Sequence, residues 1–521
     1  MFSSITTGAV FGITSYLMQV ETDISDGLPS FSMVGFLGGE VREAGDRVRV
    51  ALRSAGVDVP NRRITISFSP ADIQKRGVVA DLAVAAGILA AMGILQEEDL
   101  QGVLVAGELG LDGEVKPIRG VLPIVQKAAG SGIRTCVLPE ANAPEGAVVR
   151  NIRVVGVRTL RQMIRYLLEP EENRDAMLPP ERVDLQALFR EKQEEGAPDF
   201  ADIHGQDSAK RALTIAAAGF HNVLLIGPPG SGKSMLAKSM PGIMPPFTVE
   251  ESMEVSGIYS VAGLIPEGQP LITKRPFLAP HHTITRTALA GGGMIPSPGV
   301  ITLADRGVLF LDEFPEFGRE NLNLLRQPME DHEIRISRTS GTFVYPARCL
   351  VLAAMNPCPC GYFPDPQKCR CTAPEIERYL SHVSGPILDR IDLCAETPRV
   401  GVTSLMDGKK EECSADIRSR VMDARERQIR RFAGTGMRFN GDMDARAVGK
   451  YCGLGKEEAD FMKTAFEKLQ LSARAYHRTL KTARTIADLR GGERISADDL
   501  AEALGYRVSD RKYWNNGRTR T

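Results

Sequence analysis

One stretch limits the folds open to this chain more than any other: "HNVLLIGPPGSGKSMLAKSM", residues 221–240. An apolar run feeds a glycine-rich turn, and the turn opens onto a helical pattern. Gly227, Pro228, Pro229, Gly230, Ser231, Gly232, Lys233 and Ser234 fit the spacing GxxxxGKS/T in the strand, loop and helix context that gives the spacing its meaning. Glycines let backbone N–H groups close around phosphates, and the helix start adds positive potential. Lys233 is placed to reach the outer phosphates of ATP and Ser234 to ligate Mg2+. The stretch predicts a P-loop α/β sheet with ATP and Mg2+ as its cofactors.

A second buried strand supplies the other half of such a site. In "VLFLDE" four apolar residues hold the strand in the sheet, while Asp312 and Glu313 emerge at its carboxyl end, where open α/β sheets bind ligands. Asp312 is expected to hold the magnesium ion, directly or through water, and Glu313 to orient and activate the attacking water. Asn356 ends a further apolar run, Leu350 to Met355. It reads as a polar sensor of a water or of the terminal phosphate, provided that its strand lies beside the acidic one. Glu313 favours hydrolysis over mere binding.

At 521 residues the chain exceeds one typical core, so about two to four domains are expected. Residues 1–165 alternate β-like runs with Ala-rich apolar stretches and read as an α/β domain. Residues 166–199, rich in charge and proline, read as a linker. Residues 200–400 form the ATPase core with a β-hairpin and a cysteine-rich knot, 401–510 a helical lid, and 511–521 a basic, frayed tail. The formal net charge of −1 gives no global pull toward nucleic acid, so such a contact needs a local patch. Nine cysteines in so long a chain fit reduced thiols rather than a disulfide scaffold. The N-terminus lacks a basic start, and no apolar run reaches the ~18–20 residues that span a bilayer. The expectation is a cytoplasmic protein with no membrane partner.

Cys358, Cys360, Cys369 and Cys371 stand in the order C-x-C-x8-C-x-C and could furnish four thiolates to a structural zinc ion. The single residue between paired cysteines is shorter than the usual zinc spacing, so four reduced, unliganded thiols remain the alternative. His281 and His282, adjacent in "APHHT", are expected to serve structure or a subunit contact rather than one metal ion. His204 is expected to contact adenine or cap the domain entrance. For DNA, the segment 414–439 holds seven arginines (418, 420, 425, 427, 430, 431 and 438) against three acids, although a solvated helix face explains such a run equally well. Arg335 and Arg338, in the hairpin-like "EDHEIRISRTSGTFVYPARC", are further candidates to touch phosphates.

With "GPPGSGKS", "RPFLAPHHTIT", "ALAGGG", "PSPGVITLADRGVLFLDE", "NPCPCGY", "LDRIDL" and "SARAYHRTLKTARTIADL", the chain resembles the ComM/YifB subfamily of the magnesium-chelatase-like AAA+ ATPases over essentially its whole length. That resemblance implies a ring, usually a homo-hexamer, with the nucleotide site between subunits. It implies that Arg390 is the finger reaching a neighbour's phosphate and Arg474 the lid-borne sensor, with Arg484 as a rival; an ion pair within one domain is the plainer reading of either arginine. It also implies an N-terminal Lon-protease-like α/β domain, whose nucleophile and base positions fall near Val79 and Leu122. Both are apolar, so no peptide hydrolysis is expected there. The implied function is an ATP-dependent DNA motor that drives branch migration of recombination intermediates in natural transformation, with single-stranded and branched DNA and recombination proteins as partners. The alternative is a chelatase-type AAA+ chaperone that remodels a protein or metal-insertion complex. A nucleotide-regulated scaffold without turnover is the weakest reading, because of Glu313.

Overall fold

The computed structural model describes residues 1–70, 77, 79–190, 198–294, 296–338, 341–399, 401 and 411–514. The N-terminal part is a seven-stranded mixed sheet in the order Ser30–Val34, Arg63–Ser69, Thr14–Ser25, Phe2–Phe11, Val103–Val105, Thr135–Pro139, Arg153–Val157. The first two strands in the chain, Phe2–Phe11 and Thr14–Ser25, form an antiparallel hairpin from Phe2↔Asp23 to Phe11↔Thr14. The Ala-rich run folds as helix Asp81–Ala91, nearly every residue of which is buried. Apolar residues all round a helix require cover on all sides, and the strands from Val20, Ile66 and Val105 together with Val48 and Leu52 supply it.

Helix Leu160–Leu168 crosses the expected boundary at 165 and sinks Tyr166 and Leu167 into this core. The expected linker contains two further helices, Glu171–Met177 and Leu185–Arg190. Arg174 is buried there and donates to the carbonyls of Leu167 and Glu169, which pins the first of these helices to the N-terminal unit.

The second sheet is parallel throughout, in the order Phe277–Leu278, Val308–Leu311, Leu350–Met355, Val223–Ile226, Leu393–Glu396. Its central strands are completely buried, as continuous Val/Ile/Leu runs must be when both faces are covered. The P-loop strand pairs Ile226 with Met355, and the acidic strand pairs Leu311 with Ala353. Gly227, Asp312 and Asn356 therefore leave the sheet side by side at one edge.

Among the described residues the C-terminal region has the α-helices Ser414–Arg431, Ala445–Tyr451, Lys456–Lys468, Ala473–Arg490 and Ala497–Trp514. They have no separate core. Val421, Leu480 and Leu500 share one cluster with Leu213 and Leu236 of the helices flanking the P-loop strand and with Val223 of the strand itself. The first residues of the expected tail, through Trp514, continue the last helix. Within the expected tail, Lys512 binds the Glu396 carboxylate at 2.8 Å and the Trp514 indole N–H donates to the Leu380 carbonyl at 3.2 Å; residues 515–521 lie outside the described residues.

Candidate functional site

The glycine loop is shaped by what surrounds it. A Cβ on Gly227 would stand 2.1 Å from Thr397 Oγ1 and 2.2 Å from the Thr397 carbonyl, so no side chain fits where the loop leaves the sheet. Gly230 and Gly232 adopt φ of 73° and 86°, the left-handed region that glycine enters without strain. Helix Lys233–Ile243 starts directly after this turn, so its unpaired N–H groups and dipole face whatever the loop encloses. Two residues not foreseen brace the loop from outside. Gln206 Nε2 donates to the carbonyls of Ser231 and Pro398 at 3.0 and 2.6 Å, and the Ser231 and Thr397 hydroxyls meet at 3.0 Å.

Lys233 donates to the carbonyls of Gly227 and Pro228 at 2.7 and 2.9 Å and to Asn356 Oδ1 at 3.2 Å. Burial pushes its ammonium down from 10.5 to about 8, against the opposing pull of the Asp312 charge. A cation so desolvated gains from an anion placed beside it. Ser234 Oγ donates to Asp312 Oδ2 at 2.7 Å, so hydroxyl and carboxylate oxygens converge as the hard donor set that magnesium prefers. Lys233 and Ser234 of the loop thus stand in direct contact with Asn356 and Asp312 at the carboxyl end of the sheet. The residues present fit ATP with Mg2+, which would supply the phosphoryl group and the charge that polarises it.

Glu313 projects from the same edge with φ of 53° and its side chain exposed. His282 Nδ1 lies 3.2 Å from Glu313 Oε2, and the rings of His281 and His282 are 4.1 Å apart. The contact to Glu313 gives His282 a place in the site that its sequence context did not reveal. His204 precedes Gly205, whose N–H donates to Glu411 at 2.9 Å, and the same carboxylate accepts from Lys210 Nζ at 2.7 Å.

Arg390 and Arg474 meet elsewhere. Both guanidinium groups bind Glu330, one on each carboxylate oxygen, and Arg390 also donates to the Pro386 carbonyl at 2.6 Å. Their partners within this subunit are therefore an acid on the segment Pro328–Asp331 and not the P-loop. Arg484 is tied internally to Asp488 at 3.0 Å and to the Gly492 and Glu493 carbonyls.

Five of the seven arginines at 414–439 meet partners within the chain. Arg431 pairs with the buried Asp488 at 2.5 Å, Arg438 with Glu251 and Glu254, Arg420 with Glu412 and Arg430 with Glu426. Arg425 is buried over the Phe439 ring at 4.0 Å. A solvated helix face describes Arg420 and Arg430, whereas Arg425, Arg431 and Arg438 are drawn into the packing. Arg335 and Arg338 do lie on an antiparallel hairpin, Glu333–Arg338 with Gly341–Pro346, and both are exposed.

The four sulfur atoms of Cys358, Cys360, Cys369 and Cys371 all lie within 4.8 Å of one another. The Sγ separations of 3.4, 3.8 and 3.7 Å among the first three are close to the ~3.8 Å edge of a tetrahedron of thiolates about a metal at ~2.3 Å. The group can hold one metal ion. All nine cysteines of the chain are free thiols, and among the described residues no helix is long and apolar enough to cross a membrane.

Three family models match the chain: magnesium chelatase subunit ChlI over residues 199–405, subunit ChlI of Mg-chelatase over 20–142, and the ChlI C-terminal region over 411–507. The competence protein ComM of Haemophilus influenzae is 42% identical over 504 residues, 96% of each chain. The uncharacterized protein YifB of Escherichia coli is 39% identical over 513 residues, 98% of this chain and 97% of its own. An uncharacterized protein of Mycobacterium tuberculosis is 41% identical over 502 residues, 96% of this chain and 97% of its own. A P-loop strand and an acidic strand flanking a common strand in one parallel sheet, a helical C-terminal region packed on it, and similarity along nearly the full length of these relatives lead to one assignment: the chain belongs to the ComM/YifB family of magnesium-chelatase-like AAA+ ATPases.

Proposed function

We propose that the chain is an ATP-hydrolysing machine, working as a homo-hexameric ring, that remodels a bound macromolecular complex in the manner of the chelatase-type AAA+ chaperones. The observation that carries hydrolysis is the convergence of Lys233, Ser234, Asp312 and Asn356 at one sheet edge with Glu313 beside them. Lys233 and the loop N–H groups bind and orient the phosphates, Ser234 and Asp312 hold the metal, and Glu313 takes the proton of the attacking water. Arg390 and Arg474 leave Glu330 to meet the phosphates of a neighbouring subunit, so turnover depends on assembly. In the same reading the four-cysteine knot holds zinc, and the N-terminal unit is a Lon-like domain without peptidase chemistry, with Leu122 fully buried and Val79 packed against the core cluster to which Leu122 belongs.

The chelatase side has the broader support, since three family models with that description cover most of the chain and five of the seven arginines at 414–439 already meet partners within the chain. A second reading, a DNA motor acting on single-stranded or branched DNA with recombination proteins, is favoured by the competence-protein relative and by the exposed hairpin arginines. Steady-state ATP hydrolysis with and without single-stranded and branched DNA, across a salt series and beside Glu313→Gln, separates them. Stimulation by DNA that fades with salt supports the motor. Turnover indifferent to every DNA and raised by a protein partner supports the remodelling machine, and no turnover above the Glu313→Gln background refutes both.

A further inference from the structure

We propose that the metal knot is a buttress of the P-loop, so that zinc occupancy and nucleotide affinity are thermodynamically linked; this rests on the reading that the four thiols hold zinc. The knot begins two residues after Asn356, the residue whose side-chain oxygen receives Lys233. The strand before it also fixes the start of the loop, because Gly227 N donates to the Met355 carbonyl at 3.2 Å.

The knot's own turn then folds back onto the loop. Gly361, at φ of 82°, lies so close to Pro229 that a Cβ there would be 2.3 Å from Pro229 Cδ. Only glycine allows both this backbone conformation and this approach. The next residue is held from the far side of the sheet edge: Tyr362 Oη accepts from Arg399 Nη2 at 2.7 Å, and that guanidinium lies 5.0 Å over the tyrosine ring. Arg399 follows Thr397 and Pro398, the residues against which Gly227 and Gln206 pack. Knot and phosphate loop thus touch at Gly361 and Pro229, share a strand end at Asn356, and are clamped together through Tyr362 and Arg399.

Within the knot, the turn is closed by short-range bonds such as Gly361 N to the Cys358 carbonyl at 2.9 Å and Cys369 N to the Asp365 carbonyl at 2.8 Å. The long-range ties that bring Cys369 and Cys371 to Cys358 and Cys360 run through sulfur. A metal at that point fixes the loop's shape, and its loss releases the surface on which Pro229 rests. Coupling of two binding sites is reciprocal, so nucleotide must tighten zinc by the factor with which zinc tightens nucleotide.

The test uses the full-length protein with zinc itself and a fluorescent ADP. Elemental analysis should find about one zinc per chain, as one four-thiolate site requires. Chelator-stripped protein should bind Mg2+–ADP about tenfold more weakly, within the range usual for coupled sites, and recover on adding zinc back. In an equilibrium competition with a chromophoric chelator, saturating Mg2+–ADP should raise the protein's apparent zinc affinity by the same factor. Gly361→Ala should retain zinc and still lose nucleotide affinity. Absence of zinc overturns the metal reading itself. Bound zinc with ADP affinity unchanged by stripping, or a competition unmoved by ADP, overturns the linkage and leaves the metal reading standing. Should stripped protein aggregate, the competition on intact protein decides alone.

Discussion

Replacing Lys233 by methionine isolates the charge of the phosphate-binding residue from its bulk. In the nucleotide-free protein the ammonium is held down to about 8 by burial, which corresponds to roughly 3 kcal/mol against the charged form at neutral pH. Its three hydrogen bonds, to the Gly227 and Pro228 carbonyls and to Asn356, return part of this. Methionine removes both terms and keeps the stem, and water can reach acceptors at the loop mouth. The free Lys233→Met protein should therefore unfold within about 1.5 kcal/mol of the parent. Nucleotide separates them: at a hundredfold excess over Kd a bound ligand adds about 2.7 kcal/mol, which the parent should show and the variant should lack. The assay is denaturant unfolding with and without Mg2+ and a non-hydrolysable ATP analogue. The sign with pH follows from a folded pKa below the unfolded one: the unfolded chain binds the extra proton between about pH 8 and 10.5, so the parent gains stability as pH rises through that window and the variant does not. A loss above 3 kcal/mol in the free variant, or nucleotide protection that survives the substitution, would refute this account of Lys233.

Three further perturbations address other parts of the site and scaffold. Glu313→Gln should lower kcat about 100-fold or more while leaving ATP affinity within twofold, since the side chain is exposed and the loss falls on water activation; equal losses in both would mean a binding role. Glu330→Gln should free Arg390 and Arg474 for a neighbour and move the protein concentration at half-maximal ATPase activity down about tenfold, the worth of one charge-assisted hydrogen bond; an unchanged concentration dependence would mark both arginines as structural. Asp81, whose carboxyl is raised from 3.8 to about 6 by burial that outweighs Arg47, binds its proton more tightly folded than unfolded. It should contribute about 3 kcal/mol of stability below pH 4 that disappears as pH rises through 6; Asp81→Asn should flatten that slope, and an unaltered pH profile of thermal unfolding would contradict it.

The parts of the site that were legible in the sequence are those built from consecutive residues. An apolar run of four to six followed by glycine, acid or amide locates Val223–Ile226, Val308–Leu311 and Leu350–Met355, because a doubly covered strand must be apolar throughout and must end where ligands bind. Contacts between distant positions carry no such signature. Nothing near Arg390 or Arg474 marks Glu330, 60 and 144 positions away, as their common partner. The charge count over 414–439 is real, but its sign says nothing about Asp488, 57 positions from Arg431, which neutralises part of it. His282 was visible as a histidine and invisible as the neighbour of Glu313. The short cysteine spacing argued against a metal until the returning loop brought the sulfur atoms together.

The hairpin Glu333–Arg338 with Gly341–Pro346 is not free at its turn end. Phe343 stacks on Phe11 of the N-terminal hairpin with ring centroids 4.4 Å apart, and a Cβ on Gly341 would stand 3.1 Å from the same Phe11 ring. A second tie lies along helix Val249–Ala262. There Gly120 N donates to the Ser260 carbonyl at 3.0 Å, and Leu122 N to the buried Glu145 carboxylate at 2.9 Å, with Ser260 Oγ at 3.4 Å. One residue earlier, Tyr259 Oη reaches the Leu303 carbonyl at 3.1 Å, five positions before the acidic strand begins. A displacement starting at Asp312 and Glu313 therefore meets the N-terminal unit by two routes. Moving the hairpin alone separates the stacked rings, at about 0.5–1.5 kcal/mol beyond the apolar area exposed, and leaves Phe343 without its cover. Moving both together keeps that packing intact, so any displacement of the hairpin costs less when the N-terminal sheet moves with it.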